Sequence, residues 1–369
     1  MTSKTFRTGG VAPPYCNSSN FAVSRILVAS LFGCLLSAAA VGRAAEEVMP
    51  KHITPATLKA VRAGLDYLAR TQSGDGSWQD EGGQAYPVAM TGLAGTAMLA
   101  NGNSPTRGRY ARQVEKSVEF LLGCSTPSGL ITASNQDSGR PMHGHGFALM
   151  FLACAYGTET KPAMRDRTKL VIEKAVKLTA EGQSSDGGWT YIPGSGDEGS
   201  VTVTQVQALR ASHNAGLAVP RGTIAEAVQY IERCSTSEGG ICYSLRSGGG
   251  ARLPISAAAV ATLYNAGQYD APVANRCLEY VWRHFENSKS FSKAAGHDFY
   301  CQLYAAQAFY LAGDKYWDPY FPAVRDQLIS MQDKNDGSWY GDGIGKTYGT
   351  AIALIILQLP YKYLPVYQR

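Results

Sequence analysis

Apolar positions along the chain fall into two alternating kinds of segment. In the first they recur every three or four residues, as at Leu58, Val61, Leu65 and Leu68 or at Val114, Val118, Leu121 and Leu122. Charges such as Arg62, Asp66, Glu115, Lys116, Glu173 and Lys177 fill the positions between. This is the pattern of a helix with one face on a core and the other in water. In the second kind, small and apolar residues run round nearly all faces, as over 91–100, 256–263 and 351–359. A helix apolar all round is a buried one. The alternation predicts outer and inner helices in turn.

The turns between them repeat. Gln72-Ser73-Gly74-Asp75-Gly76-Ser77-Trp78 recurs as Gln183 to Trp189, with Asp186, and one residue longer as Gln332 to Trp339, with Asp336. Weaker copies lie at Pro127 to Leu130, Glu238 to Ile241 and Ser288 to Phe291. Taking the last residue of each as anchor gives positions 78, 130, 189, 241, 291 and 339, six repeats at intervals of 48 to 59 residues. Asp-Gly pairs are turn formers, which makes Asp75, Asp186 and Asp336 structural. Inner segments end at Gly102, Gly157, Gly216, Gly267 and Gly313, where glycine suits a left-handed helix cap, and the sixth stops at Pro360. Twelve alternating helices predict an all-α closed ring of six hairpins, an (α/α)6 toroid. An open solenoid is the rival, although it exposes its end repeats and needs polar caps. The tail holding Tyr361, Tyr363 and Tyr367 is placed to cover one mouth or a seam.

The three Gln-to-Trp turns, with six repeats over roughly 51–359, resemble the α/α-toroid family of squalene and other terpene cyclases and protein prenyltransferase β subunits. The resemblance implies that the glutamines and tryptophans tie neighbouring repeats together. It also allows the family's catalytic signatures to be tested here. The Asp-x-Asp-Asp acid of squalene-type cyclases does not occur, and the chain is about half the length of those double barrels. The prenyltransferase zinc motif, Asp-x-Cys with a histidine in a stretch like Asp-Phe-Tyr-His, is replaced by Asp298-Phe299-Tyr300-Cys301, and the preceding repeat reads Arg252-Leu253-Pro254-Ile255.

Charge and cysteines locate the chain. The net charge of +5 over 369 residues comes mainly from Lys4, Arg7, Arg25 and Arg43; without residues 1–44 the balance is 30 basic to 29 acidic. Such a balance gives no reason to expect nucleic acid as a partner. Residues 1–44, with Arg25, an apolar run from Ile26 to Ala40 and small residues up to Ala45, predict a secretory signal peptide cleaved after Ala44. The run is shorter than the roughly 20 residues of a membrane span, although an uncleaved anchor stays open. The expectation is export to a periplasmic or extracellular space as one toroid domain, 45–369. Cys124, Cys154, Cys234, Cys242, Cys277 and Cys301 remain, none spaced as CxxC, and their connectivity cannot be read from the sequence.

Inner-helix N-termini gather at one mouth of such a ring, and candidate chemistry is sought there. His143 and His145 open the second inner helix; His297, Asp298, Tyr300 and Cys301 open the fifth. Asp298 and Cys301 share a helical face and admit zinc as an alternative, with no metal or cofactor as the leading expectation. The competing reading makes Asp298 a helix cap, Cys301 a buried small residue and the histidines loop hydrogen-bonders. Counted back from Gly157 and Gly313, His145 and Cys301 occupy equivalent positions. Asp197 and Glu198 are expected in a solvated loop, and Tyr86, Tyr191, Tyr243, Tyr300 and Tyr348 either line a lumen or pack. The functional expectation is a non-catalytic toroid that binds a peptide, a protein or an apolar ligand at its mouth or lumen. The alternatives are a terpenoid, prenyl-type or carbohydrate-active enzyme, and a structural assembly module.

Overall fold

Proline stands at the first or second position of six helices in a computed structural model of the chain, where a missing N–H costs no helical bond. The structure describes residues 49–369 apart from 81–84, 138, 160 and 289–295. The expected signal peptide over 1–44 and the fifth anchor, Phe291, lie outside the described residues. Twelve α-helices run in the predicted order: α1 (Pro55–Thr71), α2 (Pro87–Leu99), α3 (Ala111–Gly123), α4 (Pro141–Ala155), α5 (Pro162–Glu181), α6 (Gly199–Asn214), α7 (Arg221–Arg233), α8 (Leu253–Asn265), α9 (Pro272–Ser288), α10 (Asp298–Ala312), α11 (Asp314–Met331) and α12 (Lys346–Gln358). The even-numbered helices form the inner ring, each packed on the next, and α12 closes on α2. Residues 49–369 make one compact unit.

Burial explains the division. Every residue of α2 is buried, whereas α3 buries only Val114, Ser117, Val118, Leu121 and Leu122. Each large side chain so buried contributes roughly 1.5–3 kcal/mol relative to exposure. Small residues let the inner helices touch: a methyl on Gly92 would lie 2.7 Å from the Phe147 carbonyl carbon of α4. The seam between the last and first repeats is joined by long-range bonds, including Gln332 Nε2 to the Ala60 carbonyl and Arg70 to the Asp336 carbonyl.

The repeated turns work as clamps. Each tryptophan is buried and its indole N–H donates to the preceding outer helix: Trp78 to Leu68 O at 2.9 Å, Trp189 to Thr179 O at 2.8 Å and Trp339 to Leu328 O at 2.7 Å. Gln72, Gln183 and Gln332 each bridge their own turn to the next outer helix, at Gln113, Thr223 and Ala60. At Gly76, φ is +94° and a Cβ would sit 2.3 Å from the Lys116 carbonyl oxygen. Only glycine fits so close to the next repeat. Asp75 and Asp336 accept from Ser77 and Ser338 inside their turns; Asp186, followed by Gly187 and Gly188, instead pairs with Arg246 at 2.9 Å.

An inner-helix side chain holds each described anchor. Thr91, Thr202, Ser256 and Thr350 accept the backbone N–H of Trp78, Trp189, Ile241 and Trp339. In the second repeat the acceptor is His145 Nδ1 and the donor is Ile131, so the anchor is Ile131 and not the expected Leu130. The expected caps occur at Gly102, Gly157, Gly216 and Gly267, with φ from +79° to +85°. Gly313 departs, with φ 100° and ψ −177°, because this single residue both ends α10 and starts α11.

The C-terminal tail seals one end of the ring. Tyr363 packs under Gly102 at the end of α2, the segment Pro365–Tyr367 rests on α6, and Arg369 lies over the Tyr269 ring beyond α8. Tyr367 is buried with its hydroxyl directed at Met150 Sδ of α4.

A tyrosine-lined cavity at the open mouth

The opposite end is hollow. A cavity of about 910 Å³ is lined by the first turns of all six inner helices, with Met90, Phe147, Ser200, Ile255, Leu303 and Ile352 among its contributors. Tyr86, Tyr191, Tyr243, Tyr300 and Tyr348 all face it. Tyr86, Tyr300 and Tyr348 stand at inner-helix starts, whereas Tyr191 and Tyr243 reach the mouth from the loops that precede α6 and α8. Among the described residues no helix is long and apolar enough to cross a membrane.

Three histidines line the wall: His143, His297 and His284, the last from the outer helix α9. Ser200 Oγ donates to Glu198 Oε2 at 2.6 Å, and so it accepts from His143 Nε2–H at 3.3 Å. Burial, with Arg140 nearby, pushes the His143 pKa down to about 4 and keeps it neutral. The carboxylate of Glu198 sits on the serine and not on the far imidazole nitrogen, which is a capping contact and not the order of a nucleophile–base–orienter triad. His284 Nδ1–H donates to the Tyr280 carbonyl at 2.8 Å, leaving Nε2 as an acceptor.

Asp197 and Glu198 correct the expectation of a solvated loop, because both are buried. Asp197 accepts from the Leu245 N–H at 2.6 Å. Glu198 caps α6 by accepting from Ser200 N and Val201 N. Burial raises the Glu198 carboxyl, and the bonds from Ser200, Val201 and Tyr243 oppose that rise.

His145, Asp298 and Cys301 are not among the residues that line the cavity. His145 is buried between α4 and α5, its Nε2–H donating to Thr179 Oγ1 at 3.0 Å. Desolvation pushes its pKa down to about 4. Cys301, equivalent to His145 by position, is buried among Tyr280 and Tyr320 of the outer helices, and burial holds its thiol well above the usual range. A neutral, enclosed thiol is a poor nucleophile. Asp298 is the first helical residue of α10 and not its cap, a place taken by His297. The capping bonds come instead from Asp342, which accepts from Phe299 N and Tyr300 N at 2.9 Å each. Tyr300 lies on the cavity and stacks edge-on with Tyr304. Among the described residues no three His, Cys, Asp or Glu side chains converge as a metal site requires, and the six cysteines are free thiols.

Two arginines absent from the sequence candidates complete the mouth. Arg140 lies over the Tyr191 ring at 4.8 Å and Arg252 over the Tyr243 ring at 4.9 Å, and the two tyrosine hydroxyls bond to each other at 2.7 Å. Each arginine holds the N-cap position of an inner helix, α4 or α8. The signal in the sequence is a cation set immediately before a proline-led apolar helix.

Ring, clamped turns and mouth together define an α/α toroid. The chain belongs to the prenyltransferase alpha-alpha toroid domain family, whose model matches residues 45–223 and 218–292. Solved structures extend the likeness. The type II terpene cyclase MstE from Scytonema is 15% identical with a TM-score of 0.57, covering 84% of this chain and 100% of its own. A GH76 α-mannanase from Bacteroides thetaiotaomicron is 10% identical with a TM-score of 0.57, covering 83% and 96%. A protein from Actinoplanes is 16% identical with a TM-score of 0.52, covering 83% and 99%. At such identities the likeness is one of fold. No curated protein matches the chain in sequence.

Proposed function

We propose that the protein is an exported, non-catalytic binding protein that takes an apolar molecule into its lumen through the mouth where the inner helices begin. The observation that carries this reading is the cavity of about 910 Å³, lined mainly by apolar and aromatic side chains and backed by a buried core. A pocket of that size and lining is the usual form of a small-molecule site. The absence of an ionised carboxylate among the described lining residues supports binding over acid–base chemistry. The Arg25-led apolar run before Ala45 supports export.

Native mass spectrometry of the protein purified without detergent tests both parts. The expected result is a mature mass beginning at Ala45 and a stoichiometric adduct that disappears in Ala251→Trp, a change that fills the mouth. A clean mass, with no uptake of dodecanol by calorimetry, overturns the binding reading. An intact leader overturns export.

One observation favours an enzyme instead. Glu198, with its raised carboxyl, reaches the cavity through Ser200 and Tyr243. Product formed from a linear polyprene or an α-mannan, and lost in Glu198→Gln, establishes that alternative.

A further inference from the structure

We propose that Cys234 and Cys242 form a structural disulfide in the exported protein, a covalent clasp that closes the turn of the fourth repeat next to Tyr243. The oxidising space rests on the export reading, whereas the site itself follows from the backbone. Ser235 and Ile241 form an antiparallel bridge, flanked by bonds from Thr236 N to Gly240 O at 2.9 Å and from Cys242 N to Cys234 O at 3.0 Å. This register sets Cys234 directly opposite Cys242. Hydrogen-bonded positions of such a ladder lie about 5.5 Å apart at Cα, inside the roughly 4.4–6.8 Å that disulfides span. The two thiols are buried and within reach of each other. The second repeat supplies the comparison. Its turn has the same register, with Thr132 N bonded to Cys124 O at 3.0 Å beside a Ser125–Ile131 bridge, but the residue opposite Cys124 is a threonine.

The link bears on the cavity wall. Cys242 is followed by Tyr243, which lines the cavity and whose carbonyl accepts from Gly199 N at the start of α6 at 3.1 Å, and Leu245 N donates to Asp197. Cys234 is the C-cap of α7, so a bond to Cys242 ties this loop to an outer helix. The form described above is the dithiol. Its oxidation takes a small-molecule or protein disulfide, R–S–S–R, as acceptor of the two electrons. One cysteine thiolate attacks the acceptor, releasing RS⁻ and leaving a mixed disulfide. The second thiolate attacks the protein sulfur of that link, forming the Cys234–Cys242 bond and releasing the other RS⁻. The two thiol protons pass to these leaving groups, and the acceptor ends as two RSH. Burial raises the Cys234 thiol, so the exchange belongs to folding, before α7 docks, and the finished bond is shielded from reductant.

Synthesis of the full chain in vitro, in a glutathione buffer poised as outside the cytosol, lets it fold with the oxidant present. The soluble chain is then unfolded in urea without reductant, trapped with N-ethylmaleimide and digested with trypsin. Cleavage after Arg233 and Arg246 leaves both cysteines in one peptide, 234–246. That peptide is expected unmodified and lighter by two hydrogens, and doubly modified once reductant is added, whereas Cys124 is modified throughout. In the folded chain the link is expected to survive dithiothreitol that removes it in urea, and Cys234→Ser with Cys242→Ser is expected to lose amide protection over 243–248. A doubly modified peptide before reduction overturns the site, as does either cysteine joined to glutathione or to another cysteine. Equal protection of Cys124 means indiscriminate oxidation and overturns a site set by the ladder. Ready reduction of the folded chain overturns a buried clasp. Because this oxidation needs no export, the two readings fail separately: a chain that keeps its leader in cells but forms the bond in the buffer overturns export and supports the site.

Discussion

Replacing His145 with glutamine tests the assignment of this histidine to the shell of the ring. His145→Gln keeps an acceptor for Ile131 and a donor for Thr179 but removes the titratable imidazole. In the folded chain that imidazole titrates near 4 and not at 6.5, because burial disfavours the charged form. The unfolded chain therefore binds the proton more readily. Stability from this group is complete above pH 6.5 and is lost progressively as pH falls toward 4. At about 1.36 kcal/mol per pH unit, the interval from 6.5 to about 4 amounts to about 3 kcal/mol. Between pH 7 and pH 5 the share is about 2 kcal/mol. Urea unfolding of both proteins at the two pH values gives the measurement. His143 and the carboxylates titrate in both proteins, so they cancel in the difference. The wild-type advantage over His145→Gln is expected to shrink by about 2 kcal/mol at pH 5. Parallel losses, with that advantage constant to within about 0.5 kcal/mol, refute a neutral, desolvated His145.

Other changes read other parts of the frame. Trp189→Phe removes the bond to Thr179 O and leaves a buried carbonyl beside a void, for an expected loss of about 2–4 kcal/mol by chemical denaturation. Gly92→Ala drives a methyl into the α4 backbone and is expected to cost about 1–3 kcal/mol; a neutral result means that the two inner helices are farther apart than described. Asp342→Asn weakens the acceptor for Phe299 N and Tyr300 N, with an expected cost of about 1 kcal/mol and faster amide exchange confined to the start of α10. Removing residues 361–369 uncovers the sealed end, and faster exchange is expected at Met150 and along α6.

The fold was legible because its determinants are local. Helical periodicity, the Gln-to-Trp turns and the terminal glycines each act within a few residues, and together they specify six hairpins. The one-residue error at Leu130 arose where the turn lacks its tryptophan, so only the bond from Ile131 to His145 reveals the true anchor. The site was legible in part. The five tyrosines reach the cavity because the repeat turns and the inner-helix starts gather at the same mouth. His284 was invisible, since it belongs to an outer helix and reaches the wall only through packing. Asp197 and Glu198 looked solvated in a glycine-rich stretch, but the segment around Leu245 and Arg246 folds over them from nearly fifty residues away. Arg252 entered the sequence reading only in the stretch that lacks the zinc motif, and Arg140 not at all, because a charge beside a helix start has no meaning until the lumen is known.

Closure of α12 on α2 has a consequence for how such a gene can change. An open array gains or loses a unit at its end and still folds, since each unit leans only on its neighbours. In a ring every unit is internal. Deleting one copy here would leave Gln332 without the Ala60 carbonyl, and Trp339 without the face of α1 at Gly64 that it packs against. The copies are thus free to drift in spelling, as the slot occupied by Thr91, His145, Thr202, Ser256, Cys301 and Thr350 has done, while their number is held constant.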